Sequence, residues 1–172
     1  MSNYRRSTTQ GASFFFTVVT HQRRPLFDKE NSISILREAH RREQQRRPFI
    51  IAAAVILPDH IHSLWTLPEN DADYSSRWRE IKKYVSKELG HSKNTRGESN
   101  VWQRRFWEHQ IRDEQDWNTH MDYIHYNPVK HGYAEKPVDW KWSSFSRWVA
   151  RGVYTADWGS SEPIGLTGLD FE

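Results

Sequence analysis

Two apolar runs, residues 49–57 and 60–67, are separated only by Pro58 and Asp59. Proline presets φ for a turn and aspartate supports one with its own side chain, so the two runs read as the strands of a tight hairpin. The second strand opens His60-Ile61-His62-Ser63-Leu64-Trp65. Side chains alternate faces along a strand, which points His60 and His62 one way and Ile61 the other. Two imidazoles about 7 Å apart on one face of a strand can converge on a single divalent ion. A hairpin in the middle of a sheet would hold them on a rigid support.

The remaining elements follow from periodicity. Residues 14–20 are apolar and β-branched, a buried strand that ends before Pro25. A helix is expected from Asn31 or Ser32 to about Arg46, with Ile33, Leu36 and Ala39 or His40 inward and arginines outward. Ser75 or Ser76 is the expected cap of a second helix reaching about Leu89, with Trp78, Ile81, Val85 and Leu89 as its apolar stripe. A polar loop over residues 90–100 follows, and then a strand over residues 102–111 that alternates aromatic and polar side chains. Asp113 caps a third helix, which Asn127-Pro128 should end because a residue before proline disfavours the helical region. A short last helix is expected within residues 142–150.

This order predicts an α+β fold: a ferredoxin-like βαββαβ antiparallel sheet with helices on one face, plus an added C-terminal helix and tail. The organisation expected is an N-terminal arm (residues 1–12), a single domain (13–150) and a Gly-rich, weakly patterned and therefore loose tail (151–172).

Composition narrows the function. The 172 residues contain no cysteine, which excludes disulfides and thiolate chemistry. No apolar run is long enough to span a bilayer and no secretory signal opens the chain, so a cytoplasmic protein is the expectation. Net charge is +3, a modest bias toward polyanions, and nine tryptophans stand among many arginines and lysines. Aromatic rings beside cations are how unpaired bases are held. Tyr4, Arg5 and Arg6 form an arm with no apolar pattern to bury it. Arg77, Lys82 and Lys83 on the second helix, with Arg104 and Arg105 in the last strand, are further candidate DNA contacts.

The third helix supplies the reactive group. At 100° per residue, Trp117, Met121 and Ile124 share one face, and His120, Tyr123 and Asn127 form the adjoining stripe, while Tyr126 turns toward water. Tyr123 is therefore the tyrosine that can lie over the histidines. The amide oxygen of Asn127 can complete a three-ligand site that leaves open positions for phosphate oxygens. An ion there would polarise a phosphate for attack by Tyr123, leaving a covalent phosphotyrosine. Asp59 is the nearest carboxylate in sequence to serve as a base. His21, His91, His109, His125 and His131 read as surface or packing residues.

Taken together, the segments Tyr4-Arg5-Arg6, residues 14–17, 57–69, 75–83, 102–109 and 122–132 resemble the REP-associated tyrosine transposases, relatives of the single-tyrosine HUH transposases. The resemblance covers residues 4–150. It implies His60 and His62 as ligands of Mg2+ or Mn2+, Asn127 as the third ligand where mobile relatives usually carry Gln, and Tyr123 as nucleophile. It implies cleavage and strand transfer on single-stranded repetitive extragenic palindromic hairpins beside a GTAG tetranucleotide, read in part by the arm. It further implies a 5′-phosphotyrosine intermediate, a monomer and a nucleoid-associated location. Two other readings remain open here: a hairpin-binding protein with a decayed site, and a rolling-circle-type nicking protein. Relaxases usually carry a third histidine near the pair, and this strand has none.

Overall fold

The computed structural model describes residues 6–90 and 100–172; the expected loop at residues 90–100 and the Tyr4-Arg5 part of the arm fall largely outside them. The elements are β1 (Ser13–Val19), α1 (Glu30–Arg46), β2 (Ile50–Ile56), β3 (His60–Thr66), α2 (Tyr74–Glu88), β4 (Trp107–Gln110), α3 (Glu114–Lys130) and α4 (Phe145–Ala150). The sheet has the order β2-β3-β1-β4 with every pair antiparallel, the βαββαβ architecture expected. The Pro58-Asp59 turn closes the β2–β3 hairpin, with the Leu57 N–H donating to the His60 carbonyl at 2.9 Å.

Alternation along the two central strands divides the interior into two layers. Phe14, Phe16 and Val18 of β1 and Ile61 and Trp65 of β3 pack under α1 and α2, against Ile33, Leu36, Trp78, Ile81 and Val85. Trp65 and Trp78 stack at 4.5 Å and 14°. On the opposite face, Phe15 and Leu64 pack under α3, against Met121, Tyr123 and Ile124. In β2 the register against β3 jumps between Ile51 and Ala53. The extra residue, Ala52, shifts the phase of alternation, so Ile51 joins the first layer while Ala53 and Val55 join the second.

Several local expectations change. The α2 cap is Asp73, whose carboxylate accepts from the Ser76 N–H at 2.9 Å; the aspartate outcompetes the serines that follow it. Asp113 does cap α3, accepting from the Asp116 N–H at 2.8 Å. Pro128 does not stop α3, which runs on to Lys130 and closes with His131 N–H bonded to the Asn127 carbonyl at 3.1 Å. Proline there forfeits one bond near the helix end, and both Asn127 and Pro128 are buried, so packing overrides the bias. β4 is shorter than expected, and Trp102 meets Thr20 through an isolated bridge instead. The closing segment is not loose: Leu166 is buried, and Leu169 and Phe171 pack on the α3 layer. Among the described residues no helix is long and apolar enough to cross a membrane.

Arg77 is a correction. Its side chain is 1% exposed and grips both Asp71 carboxylate oxygens at 2.7 and 3.1 Å. It also donates to the carbonyls of Asp73, Pro48 and Arg47 at 3.0, 3.1 and 3.3 Å. A guanidinium with these partners joins the loop after α1 to the start of α2 and is closed to DNA. Arg77→Leu should lower unfolding free energy by about 3 kcal/mol, because it strands Asp71 and three carbonyls. Urea denaturation measures this, and the DNA affinity of the folded fraction should be unchanged.

Candidate active site

His60 and His62 are both buried on the α3 face of β3. His60 Nδ1 lies 2.6 Å from Asp59 Oδ1, and Asp59 is held in turn by Arg23 at 3.2 Å. His62 Nδ1 lies 2.9 Å from Thr17 Oγ1, which sits directly across the β1–β3 pair. The single Thr17 hydroxyl proton goes to the Phe171 carbonyl at 2.6 Å, so this oxygen accepts from His62. Both Nδ1 atoms are thereby protonated, and both Nε2 atoms are left as buried acceptors without a partner among the described residues. Burial lowers the pKa of both: His60 against the pull of Asp59, and His62 well below its ordinary value with help from neighbouring His60. Both imidazoles are uncharged at neutral pH, the state a metal ligand requires.

Asp59, the expected base, is thus spent on orienting His60. Burial would raise its pKa, but His60 and Arg23 outweigh that and hold the carboxyl below its ordinary range.

α3 lays Tyr123 across this face. Its ring lies 5.3 Å from that of His62, and its hydroxyl oxygen accepts from Lys130 Nζ at 2.9 Å and from the Phe171 N–H at 3.1 Å. Tyr126 packs elsewhere, beside Gly159. Asn127, one turn past Tyr123, is fully buried, and neither atom of its amide has a partner among the described residues. The structure also adds Glu172, whose Oε1 lies 3.7 Å from His60 Nε2. His60, His62 and Glu172 offer ligand atoms that all lie within 4.8 Å of one another. His131 hydrogen-bonds the same carboxylate, Lys130 lies 3.7 Å from it and Arg23 3.2 Å. Burial would raise the Glu172 pKa, but His131, His60 and His62 pull it down to about 2.

Thr17, Lys130, His131 and Glu172 were missed in the sequence. Lys130 alone left a signal: seven residues past Tyr123, it returns to the same stripe of a continuous helix.

A second feature is basic. Arg6, Ser75, Arg79, Lys82, Arg104 and Phe106 line a cleft of about 330 Å³. The Arg6 guanidinium sits 4.3 Å from the Phe106 ring centre, and Lys82 Nζ donates to the Gln103 carbonyl at 3.0 Å. Burial, and then Arg6, lowers Lys82 to about 8. Lys83 is exposed on α2 outside the cleft lining. Arg105 lines a neighbouring groove with Trp107, Thr17 and Glu172. Phe106 belongs to both.

The molecule thus combines a histidine pair under a tyrosine with a basic cleft. Residues 8–127 match the family model described as "Transposase IS200 like". An Escherichia coli REP-associated tyrosine transposase is 48% identical over 158 residues, 92% of this chain and 91% of that protein. This chain belongs to the REP-associated tyrosine transposases. A Haemophilus influenzae relative carrying the same family name is 43% identical over 175 residues, covering 98% of this chain and 99% of its own. A solved REP-associated tyrosine transposase bound to a REP hairpin is 45% identical, covers 96% of each chain and superposes with a TM-score of 0.83. Family and fold are those expected from the sequence motifs.

In this REP-associated tyrosine transposase the depressed Glu172 carboxyl ties the end of the chain to the site. The docking it provides is complete above the ordinary glutamate pKa of 4.5 and is lost as pH falls toward about 2. Glu172→Gln should therefore expose the Phe171 amide, which bonds to Tyr123, and speed its hydrogen exchange several-fold at neutral pH. Amide exchange followed by NMR measures it.

Proposed function

We propose that this transposase is a metal-dependent endonuclease and strand transferase acting on single-stranded REP hairpins through a 5′-phosphotyrosine at Tyr123. The observation that carries the reading is the group of unpartnered polar atoms beside the tyrosine: His60 Nε2, His62 Nε2 and both amide atoms of Asn127. Leaving one such group buried and unsatisfied costs about 1–3 kcal/mol, a cost that a bound ligand would relieve. Neutral imidazole nitrogens and an amide oxygen are donors suited to a divalent ion, so His60, His62 and Asn127 would hold Mg2+ or Mn2+. When bound, the ion supplies positive charge that polarises the scissile phosphate.

The chain's own residues do the rest. The Tyr123 hydroxyl gives its proton to solvent, and its oxygen attacks phosphorus. The bond to the 3′-oxygen breaks, that oxygen takes up a proton, and the phosphoryl group stays on Tyr123. Attack by a second 3′-hydroxyl reverses these bonds and transfers the strand. Lys130 Nζ already donates to the reacting oxygen, placing a cation where anionic charge develops. Burial alone would lower the Lys130 pKa, but Tyr123, Glu172 and Asp170 raise it above its ordinary value. It therefore acts as a fixed charge, with no lone pair to serve as a base. The positive cleft around Arg6, Lys82 and Arg104 suits the hairpin backbone, and Tyr4 and Arg5 would read the GTAG tag. A solved relative bound to a REP hairpin supports this choice of substrate.

Incubation with labelled single-stranded REP hairpin and Mn2+ should yield a covalent protein–DNA adduct. Tyr123→Phe should abolish the adduct and keep hairpin affinity within about twofold, and His60→Ala should abolish it even at saturating DNA. Hairpin binding without an adduct in any divalent ion would favour the decayed-site reading. Lys130→Met should slow adduct formation by about 10²-fold at saturating hairpin, comparable to losing one oxyanion donor. Single-turnover kinetics at fixed pH measure it.

A further inference from the structure

Beside the proposed nucleophile is an aromatic box. Its walls are Phe15 of β1, Trp107 of β4, and His120 and Tyr123 of α3. The ring inside it comes from the closing segment: Phe171 lies 4.6 Å from His120 at 16°, 5.7 Å from Trp107 at 8°, 5.7 Å from Phe15 and 4.7 Å from Tyr123. Two of the four walls are thus nearly parallel to the guest ring and two meet it edgewise.

The main chain of that guest is held by the reactive groups themselves. The Phe171 N–H donates to the Tyr123 oxygen and its carbonyl accepts from Thr17. The next side chain, Glu172, sets a carboxylate between His60 and His131. A flat ring followed at once by an anion over the histidine pair is the layout of a nucleobase followed by its phosphate.

We propose that this box is a nucleobase slot, occupied by Phe171 in the absence of DNA, that takes the base of a nucleotide flanking the scissile phosphate. The inference rests on the nuclease reading above and specifies how the single strand is seated there. Three features favour a base over another flat ligand. Trp107, one wall of the slot, also lines the groove of Arg105, Phe106 and Glu172, while Phe171 and His120 line a second groove with Arg112, so cations stand on both sides of the slot. Trp107 is 41% exposed and so presents a face to an incoming ring. His120 donates from Nδ1 to the Asp116 carbonyl at 2.8 Å, which leaves its buried Nε2, in the wall of the slot, as an acceptor without a partner among the described residues. Stacking of this kind is tolerant of sequence because every base has a π face.

The test is equilibrium binding in EDTA, where no chemistry occurs. The probe is a single-stranded REP hairpin with its single-stranded extension, and an abasic site is moved through the extension one nucleotide at a time. In the full-length Phe171→Ala protein, whose slot is vacated, one abasic position should weaken binding roughly 5- to 100-fold, the span of base–aromatic stacking. The intact probe should bind this variant more tightly than it binds wild type. Trp107→Leu combined with Phe171→Ala should erase the penalty at that position; because Trp107 is half-exposed, the change leaves the core intact. No sensitive position in the Phe171→Ala protein, or a penalty that survives Trp107→Leu, would overturn the slot. Failure of the nuclease reading looks different: the abasic penalty persists in EDTA and no adduct forms with Mn2+.

Discussion

Everything in this molecule hangs on β3 being buried on both faces. Ile61 and Trp65 anchor α1 and α2, while His60, His62 and Leu64 lie under α3. Because the side-chain period of a strand is two, a slip of one residue would exchange these sets. Imidazoles would enter an apolar layer, and Trp65 would lose its stack on Trp78. The register that places Thr17 opposite His62 is thus held by hydrophobic burial of the intervening residues, and the polar site inherits its precision from the apolar layers.

That precision is used to set proton positions. A histidine can bind a cation through Nε2 only if something else accepts the proton on Nδ1. Asp59 does this for His60 from the hairpin turn, and Thr17 does it for His62 from the neighbouring strand. Around these neutral rings stand Arg23 and Lys130, cations that already draw in one anion, the Glu172 carboxylate, which also hydrogen-bonds His131. Phe171 and Glu172 fill the space beside these rings with a ring and a carboxylate.

The parts legible in the sequence were those encoded by local periodicity. The element order, the shared face of His60 and His62, the Asp113 cap and the choice of Tyr123 over Tyr126 each follow from periods of 2 and 3.6 residues. The parts that were not legible depend on partners distant in sequence. Arg77 sits on a helix among basic neighbours and reads as solvated, but the carbonyls of Arg47 and Pro48 bury it. Glu172 and Phe171 lie in a segment whose apolar residues are too sparse for any period, and only the folded sheet gives them a destination. His131 lies just past a proline that reads as a helix stop, which hides its return toward His60, 5.1 Å away ring to ring.

That same proline shows how the site depends on a broken local rule. Lys130 is seven residues past Tyr123; at 3.6 residues per turn this returns it to within about 20° of the tyrosine's direction. The return requires helix through residues 124–130, across Pro128. Had α3 ended at Asn127, as the bias against helical conformation before proline predicts, Lys130 would have had no fixed direction. The cost is one backbone bond, the one a residue-128 N–H would have made to the Ile124 carbonyl, and burial of Ile124 and Pro128 offsets it. What the helix gains is a cation 2.9 Å from the Tyr123 oxygen, the atom proposed above as the nucleophile. A departure from local preference at this point is thus tied to chemistry, the circumstance in which local rules are expected to yield.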